Sequence, residues 1–280
     1  MLEDDVASEF IASRRVLLDA EAWLEPHRDA VIIVGGQAVY MHVSTEAAEY
    51  ATYTTDVDLA LDPSVLTSSP DIASILMREG CVMKQQSGGG DQPGVFLTPS
   101  GIEIDFMAPE GSLPSSTRRS AVISGQSKHA VRRVYGLECA LVDNQVMTLH
   151  SLEAGDSRSM SVKVAGPTAL VVAKLVKIKE RKGGPPDRIV SKDGADLMRL
   201  LRHCDAGVIG QRLKELREDH PWLRPVISDA VGFLRDDIRS PNSFITRLII
   251  ESRADGETAQ QATTSVSVLG DRLLNAMHEA

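Results

Sequence analysis

At 280 residues the chain is long enough for one large core or two modest ones, and two domains are expected. Hydrophobic residues at 42% and charged ones at 25% suit a globular protein, while aromatics at 4% argue against base stacking as the main contact to nucleic acid. A net charge of -9 and a pI of about 5.3 argue against tight non-specific binding of polyanions and leave a local basic patch as the only route to one.

Cys81, Cys139 and Cys204 are odd in number and widely spaced. They form no C-x-x-C, which speaks against a disulfide framework or zinc site and fits a reducing cytoplasm. The N-terminus, MLEDDVASEF, is acidic where a signal peptide is basic, and no apolar run reaches membrane-spanning length. A cytoplasmic location and no membrane partner are expected.

In chain order, Val6, Phe10, Leu17, Ala20 and Leu24 recur at helical spacing and stop at Pro26, which predicts a helix over Val6–Leu24. The β-branched run Val31–Val34 reads as a buried strand. It breaks at Gly35-Gly36 into a helix over Gln37–Ala48, and a second strand follows at Asp56–Leu61. A helix is expected over Pro70–Glu79, with Gly80 closing it, then a strand at Cys81–Gln85 and a glycine-rich loop at Ser87–Pro93. Val95–Thr98 and Ile102–Phe106 flank the turn Pro99-Ser100-Gly101 and read as a hairpin. Short strands at Ala140–Val142, Val146–Leu149 and Val162–Val164 read as a peripheral sheet extension. From Pro167 the texture changes to helices, at Thr168–Lys182, Asp187–His203, Val208–Glu218, Trp222–Asp237, Asn242–Ser252 and Val266–His278. Trp222 and Phe233 are expected in their core.

The chemistry concentrates in a few places. Side chains at i and i+2 of a strand share a face, so Asp56 and Asp58 project together while Val57, Leu59 and Leu61 face the core. Two such carboxylates repel unless a cation lies between them, and hard oxygen ligands suit Mg²⁺. Two solvated acids on an edge strand is the plainer alternative. In GIEIDFMAP, Ile102, Ile104 and Phe106 share one face and leave Glu103 and Asp105 on the other. If this strand lies beside Asp56–Leu61, Asp105 completes a three-carboxylate cluster able to hold two Mg²⁺ ions, with Glu103 the bystander. Gly35 and Gly36 would let a phosphate approach bare backbone at a helix N-terminus. No G-x-x-x-x-G-K-[ST] is present, so a Walker-type site is not supported.

Cations are concentrated in Lys174–Lys182, KLVKIKERK. Lys174, Lys177 and Arg181 share a helix face and could offset charge on a departing pyrophosphate; a solvated helix face is the plainer alternative. Asp193 and Asp196, at i and i+3, repel one another unless a cation or basic partner lies near. The histidines make no ligand pair.

Gly35-Gly36, Thr54-Thr55-Asp56-Val57-Asp58, Ile104-Asp105-Phe106, Lys174 with Arg181, and Lys192-Asp193 with Asp196-Leu197 together resemble the AbiEii/MenT family over roughly Val31 to Leu201. These are nucleotidyltransferases of the DNA polymerase β-like superfamily, toxins of bacterial toxin–antitoxin and abortive-infection systems. The resemblance implies that Gly35 and Gly36 lie against the nucleotide phosphates and that Asp56 and Asp58 bind metal. It places Thr54 at the family's hydroxyl position, Asp105 at the third acid, Lys174 at the motif lysine, and Asp193 and Asp196 in the final acidic motif. Thr52 stands where family members commonly carry arginine.

The expected fold is α+β. A polymerase β-like nucleotidyltransferase mixed sheet flanked by helices (1–166) precedes a mostly helical domain (167–280) that supplies lysine and acidic motifs to the active site. The expected activity is Mg²⁺-dependent (or Mn²⁺-dependent) transfer of NMP from an NTP to a hydroxyl. Asp56, Asp58, Asp105, Lys174, Asp193 and Asp196 are the catalytic candidates, the first three as metal ligands. Gly35, Gly36, Thr54, Thr55, Lys177, Arg181 and Lys192 are expected beside the nucleotide. Resemblance makes a tRNA 3′ end the acceptor, reached through a basic patch such as Arg118, Arg119, Lys128, Arg132 and Arg133, and adds a cognate antitoxin as partner. Two alternatives stay open: an aminoglycoside-like small molecule or protein side chain as acceptor, and a non-catalytic interaction protein on the same fold.

Overall fold

Apolar β-branched runs and alternating strands in the first half of the chain, and 3.6-residue periodicity in the second, resolve into a mixed sheet and a helical array. The structure is a computed structural model that describes residues 2–43, 54–184, 191–240, 242–252 and 258–278, with side chains from residue 8 onward. Thr52 and the helical expectations for 44–48 and 187–190 lie outside the described residues. The chain divides into two compact units, Met1–Gln37 with Tyr53–Ala165, and Ala38–Thr52 with Gly166–Ala280.

The first unit is built on an eight-stranded mixed sheet. Its strands are β1 (Val31–Ile33), β2 (Val57–Leu61), β3 (Val82–Gln85), β4 (Asp91–Leu97), β5 (Glu103–Pro109), β6 (Arg132–Val134), β7 (Asn144–His150) and β8 (Ser159–Ala165). The order is β3-β4-β5-β2-β1-β8-β7, with β6 pairing on β5. β2 runs parallel to β5, β1 to β8 and β5 to β6, and the other pairings are antiparallel. Helix α1 (Leu2–Trp23) packs on β2 and β8. It does so through a stripe in which Phe10, Leu17 and Ala20 are buried, together with Ser13, Arg14 and Glu21. Helix α2 (Gly35–His42) follows β1, and the short α3 (Ile72–Arg78) starts where the Asp71 side chain accepts from the Ser74 N–H at 3.0 Å.

The hairpin read at Val95–Phe106 is the antiparallel β4–β5 pair, with Phe96 opposite Ile104. Two expectations need correction. Ala140–Val142 is not a strand, because Glu138–Leu141 forms a 3-10 turn. The loop read at Ser87–Pro93 is shorter, since β4 begins at Asp91. The other two strands of the expected peripheral extension are β7 and β8, the last two of the sheet order, with β7 at the edge and β8 pairing with β1.

The second unit is helical: α4 (Pro167–Lys182), α5 (Lys192–His203), α6 (Ala206–Asp219), α7 (Arg224–Ile238), α8 (Phe244–Ser252) and α9 (Ala259–Ala276). Pro167 occupies the first turn of α4, where its missing N–H leaves nothing unsatisfied. Leu170, Val171, Leu175 and Ile178 of α4 are buried, and α4 packs on α5 and α7, α5 on α8, and α6 on α9. Asp237 joins α7 to α8. Its side chain is fully buried and accepts from the N–H groups of Phe244 (3.1 Å) and Ile245 (2.9 Å), from Ser243 (2.7 Å) and from Lys182 (2.9 Å). Phe233 is buried as expected; Trp222 is not, at 43% exposure on the short turn before α7. Among the described residues no helix is long and apolar enough to cross a membrane.

Candidate active site

The site in the first unit is built where β1 ends. Gly35 adopts φ +66, a conformation that disfavours any side chain. A Cβ there would fall inside the Asp58 carboxylate, and one on Gly36 would lie 2.6 Å from Thr54 Cβ. The paired glycines are therefore required by contact: they lay bare backbone against the D-x-D segment. The Val34 N–H donates to the Asp58 carbonyl at 3.0 Å, which fixes the end of β1 to the start of β2.

Thr54 is buried and its hydroxyl donates to Asp56, while Thr55 is exposed. Asp56 lies just before β2 and Asp58 within it, both half-buried on either side of the fully buried Val57. A buried polar chain supports this segment from below. Arg14 Nε donates to Gln37 Oε1 at 2.8 Å, Gln37 Nε2 donates to Ser13 Oγ at 2.8 Å, and that hydroxyl lies 3.1 Å from the Thr54 carbonyl. Burial lowers Arg14 to about 10. Ser13, Arg14 and Gln37 had no sequence motif to announce them. The signal was two polar residues on the apolar face of an amphipathic helix.

Parallel pairing sets Asp58 in register with Asp105, with Leu59 opposite Phe106. The strand adjacency expected for Asp105 is thus present, and the two acids share a face of neighbouring strands. The expected three-carboxylate cluster is not. Among the described residues no group of three or more Asp, Glu, His or Cys side chains is placed to hold a metal ion. Asp105 is instead gripped on both oxygens by Arg132, whose Nε donates to Oδ1 at 2.6 Å and whose second nitrogen donates to Oδ2. Glu103 pairs with Lys84. The remaining donor set, Asp56 and Asp58, fits Mg²⁺, which commonly takes one or two carboxylates and completes its shell with water and substrate phosphate.

A cavity of about 590 Å³ opens beside Asp56, with Glu9 and Arg15 of α1, Thr55, Ser100 and Glu103 in its wall. The expected basic patch is smaller than its sequence suggested. Arg118, Arg119 and Lys128 are exposed, whereas Arg132 is engaged by Asp105 and Arg133 donates to the Pro114 carbonyl at 2.5 Å.

The second unit carries the other candidates. Lys174 is buried, with Nζ 3.0 Å from Asp193 Oδ1 and 2.6 Å from Asp196 Oδ2. Arg181 donates to the other Asp193 oxygen, and Lys177 Nζ lies 3.8 Å from Oδ1. The three cations do share a face, and in the structure that face turns to Asp193. Asp196 also accepts from Arg199 at 3.1 Å. Arg199 is fully buried, stacks over Tyr40 at 5.7 Å, and belongs to this cluster although the sequence reading passed it over. Burial pushes the Lys174 ammonium down, but Asp196 and Asp193 outweigh it and hold the group well above the ordinary lysine range. Burial likewise opposes ionisation of Asp193, and Lys174, Lys177 and Arg181 reverse this to hold it well below the usual carboxylate range. Lys192 is half-buried at the first turn of α5.

Neither family models nor curated proteins match the chain. Among solved structures, it is similar to an antigenic nucleotidyltransferase-like protein from Paracoccidioides brasiliensis, with 16% identity and a TM-score of 0.39 over 80% of this chain and 94% of that one. At that level the functional reading stands on the site alone.

Proposed function

We propose that the chain is a divalent-cation-dependent nucleotidyltransferase, moving NMP from an NTP to a hydroxyl and releasing pyrophosphate. The observation that carries this reading is the packing of Gly35 against the Asp58 carboxylate and of Gly36 against Thr54, whose hydroxyl donates to Asp56. A bare helix N-terminus favours anions, and a carboxylate pair favours a cation. A polyphosphate with its divalent ion satisfies both at once.

Asp56 and Asp58 would hold the ion, and the backbone at Gly35-Gly36 would receive phosphate. When bound, the ion offsets triphosphate charge and lowers the pKa of an attacking hydroxyl. In the transfer, acceptor oxygen bonds to the α-phosphorus while the bond to pyrophosphate breaks, and the hydroxyl proton passes to solvent water. Thr54 orients Asp56 through its hydrogen bond, and the Ser13–Arg14–Gln37 chain holds the turn in place. The proton-accepting role expected for Asp105 is withdrawn, because Arg132 occupies both of its oxygens. Within the second unit, Lys174, Lys177 and Arg181 are turned to Asp193, with Lys174 also on Asp196, so these cations act first as an ion network of that unit.

Motif order resembling the AbiEii/MenT toxins supports a tRNA 3′ end as acceptor, toxicity through blocked aminoacylation, and a cognate antitoxin as partner. Exposed Arg118, Arg119 and Lys128 are the groups a polyanion could use. The cavity beside Asp56 favours a second reading. Glu9 and Asp56 against Arg15, with Glu103 already paired to Lys84, suit a small cationic acceptor better than a phosphodiester chain. Both are tested by one assay with Mg²⁺ and labelled NTP, offering total tRNA, a protein extract and a panel of amine-bearing small molecules in parallel. Wild type should label one pool, and Asp58→Ala should lower that signal by about 10²–10³-fold, the scale of losing a principal electrostatic group. Label in no pool from either protein would overturn the enzyme reading and leave an interaction protein on this fold.

A further inference from the structure

The parallel β2–β5 pairing puts Asp105 in register with Asp58 on the same face, where a third metal ligand would stand. The carboxylate there is already neutralised. Arg132 reaches it from β6, which pairs in parallel with β5 so that Arg132 is opposite Met107. The two oxygens of Asp105 receive two guanidinium nitrogens, a bidentate fork, and one of those nitrogens also lies 3.1 Å from Met107 Sδ. The pair is largely shielded, with side-chain exposures of 34% for Arg132 and 16% for Asp105.

The backbone prepares this position. Gly94 of β4 adopts φ +78, and a Cβ on it would lie 2.7 Å from Arg132 N, 3.0 Å from Arg132 Cγ, and against the Phe106 carbonyl. Only glycine there lets β6 close on β5 and deliver the guanidinium to Asp105. Arginine's fork fixes geometry in a way that lysine's single ammonium does not.

We infer that this is a one-ion centre, in which Asp56 and Asp58 hold a single divalent cation and Arg132 supplies, as a permanent guanidinium on Asp105, the positive charge that a second ion would otherwise bring. Arg132 is a positioning residue: it keeps Asp105 out of the metal shell and keeps the charge at that register position constant whether or not nucleotide is bound. The inference rests on the nucleotidyltransferase reading of Asp56 and Asp58, and its test separates the two.

The test counts ions. Mn²⁺ is titrated into the full chain with one equivalent of a non-hydrolysable NTP analogue, and free Mn²⁺ is followed by electron paramagnetic resonance. Wild type should retain one Mn²⁺ per chain. Asp105→Asn should retain the same ion with affinity changed less than about threefold, whereas Asp58→Ala should weaken it at least about tenfold, the lower end of what removing a metal-site group costs. Arg132→Met, which frees the carboxylate, should take up a second ion, and Arg132→Lys should stay at one. Should Arg132→Met fail to fold, Asp105→Asn decides alone. Two ions in wild type, one of them lost in Asp105→Asn, would overturn the one-ion centre and leave the enzyme reading standing. No Mn²⁺ retained above the analogue alone, with Asp58→Ala identical, would remove the two-acid site on which both rest.

Discussion

Gly35 shows how far single residues decide this site. Its φ of +66 and the Asp58 carboxylate filling the place of its missing Cβ are independent demands, and each requires glycine. Gly35→Ala is therefore expected to lose about 1–3 kcal/mol of stability, the usual scale of a side chain held in the left-handed region. It should also lower NMP transfer by at least tenfold, because Asp58 must move. Chemical denaturation and the labelling assay check both, and a fully stable, fully active Gly35→Ala would show that the turn does not press on Asp58. Glycines and D-x-D were legible in the sequence because their residue types and spacing are themselves the chemistry. The fate of Asp105 was not. Its strand position could be inferred from alternation, but its partner lies on β6, a three-residue strand with no pattern of its own.

At the scale of elements, the buried ion network ties α4 to α5. Lys174 bridges Asp193 and Asp196, and Arg199 and Arg181 cap their remaining oxygens. Breaking a buried pair strands the opposite charge, so Lys174→Met is expected to destabilise the second unit by about 3 kcal/mol. Urea unfolding at neutral pH measures it. A loss below about 0.5 kcal/mol, typical of exposed pairs, would mean that the cluster is hydrated and contributes little to the fold. The sequence read these helices well, since amphipathic period and the proline at 167 act locally. It read Ala140–Val142 wrongly as a strand, because a short apolar run bears no period that separates a strand from a 3-10 turn. Pairing β8 with β1 needed tertiary information: a strand one in from the edge, with Ser159 and Ser161 exposed, alternates like the edge strand itself. Three polar residues on the buried face of α1, Ser13, Arg14 and Glu21, likewise make sense only with their neighbours present.

The two units respond to pH over different ranges. In the second, Asp193 and Asp237 are held below the ordinary carboxylate range and Lys174 above the lysine range, although burial opposes all three. Their contribution is lost only as pH falls below about 4 or rises beyond the lysine range, so this unit is insensitive to pH in between. In the first unit, burial raises the Glu21 carboxyl from 4.5 to about 7 against a smaller opposing effect of Arg28. Among the described residues its Oε1 finds no hydrogen-bond partner. A carboxyl whose folded pKa is raised stabilises fully below its unfolded value, and that stabilisation is lost as pH rises through the folded one. Between pH 4.5 and values above 7, the first unit should therefore lose about 3 kcal/mol. Glu21→Gln removes the ionisation while keeping the shape, and should flatten this fall without altering the acid limb set by the aspartates. Calorimetry of wild type and Glu21→Gln at pH 5 and pH 8.5 reads the difference, with the transition of the first unit moving and that of the second holding still. Equal loss in both proteins would place the alkaline sensitivity elsewhere, with buried Glu138, whose carboxyl burial also raises, as the next group to replace.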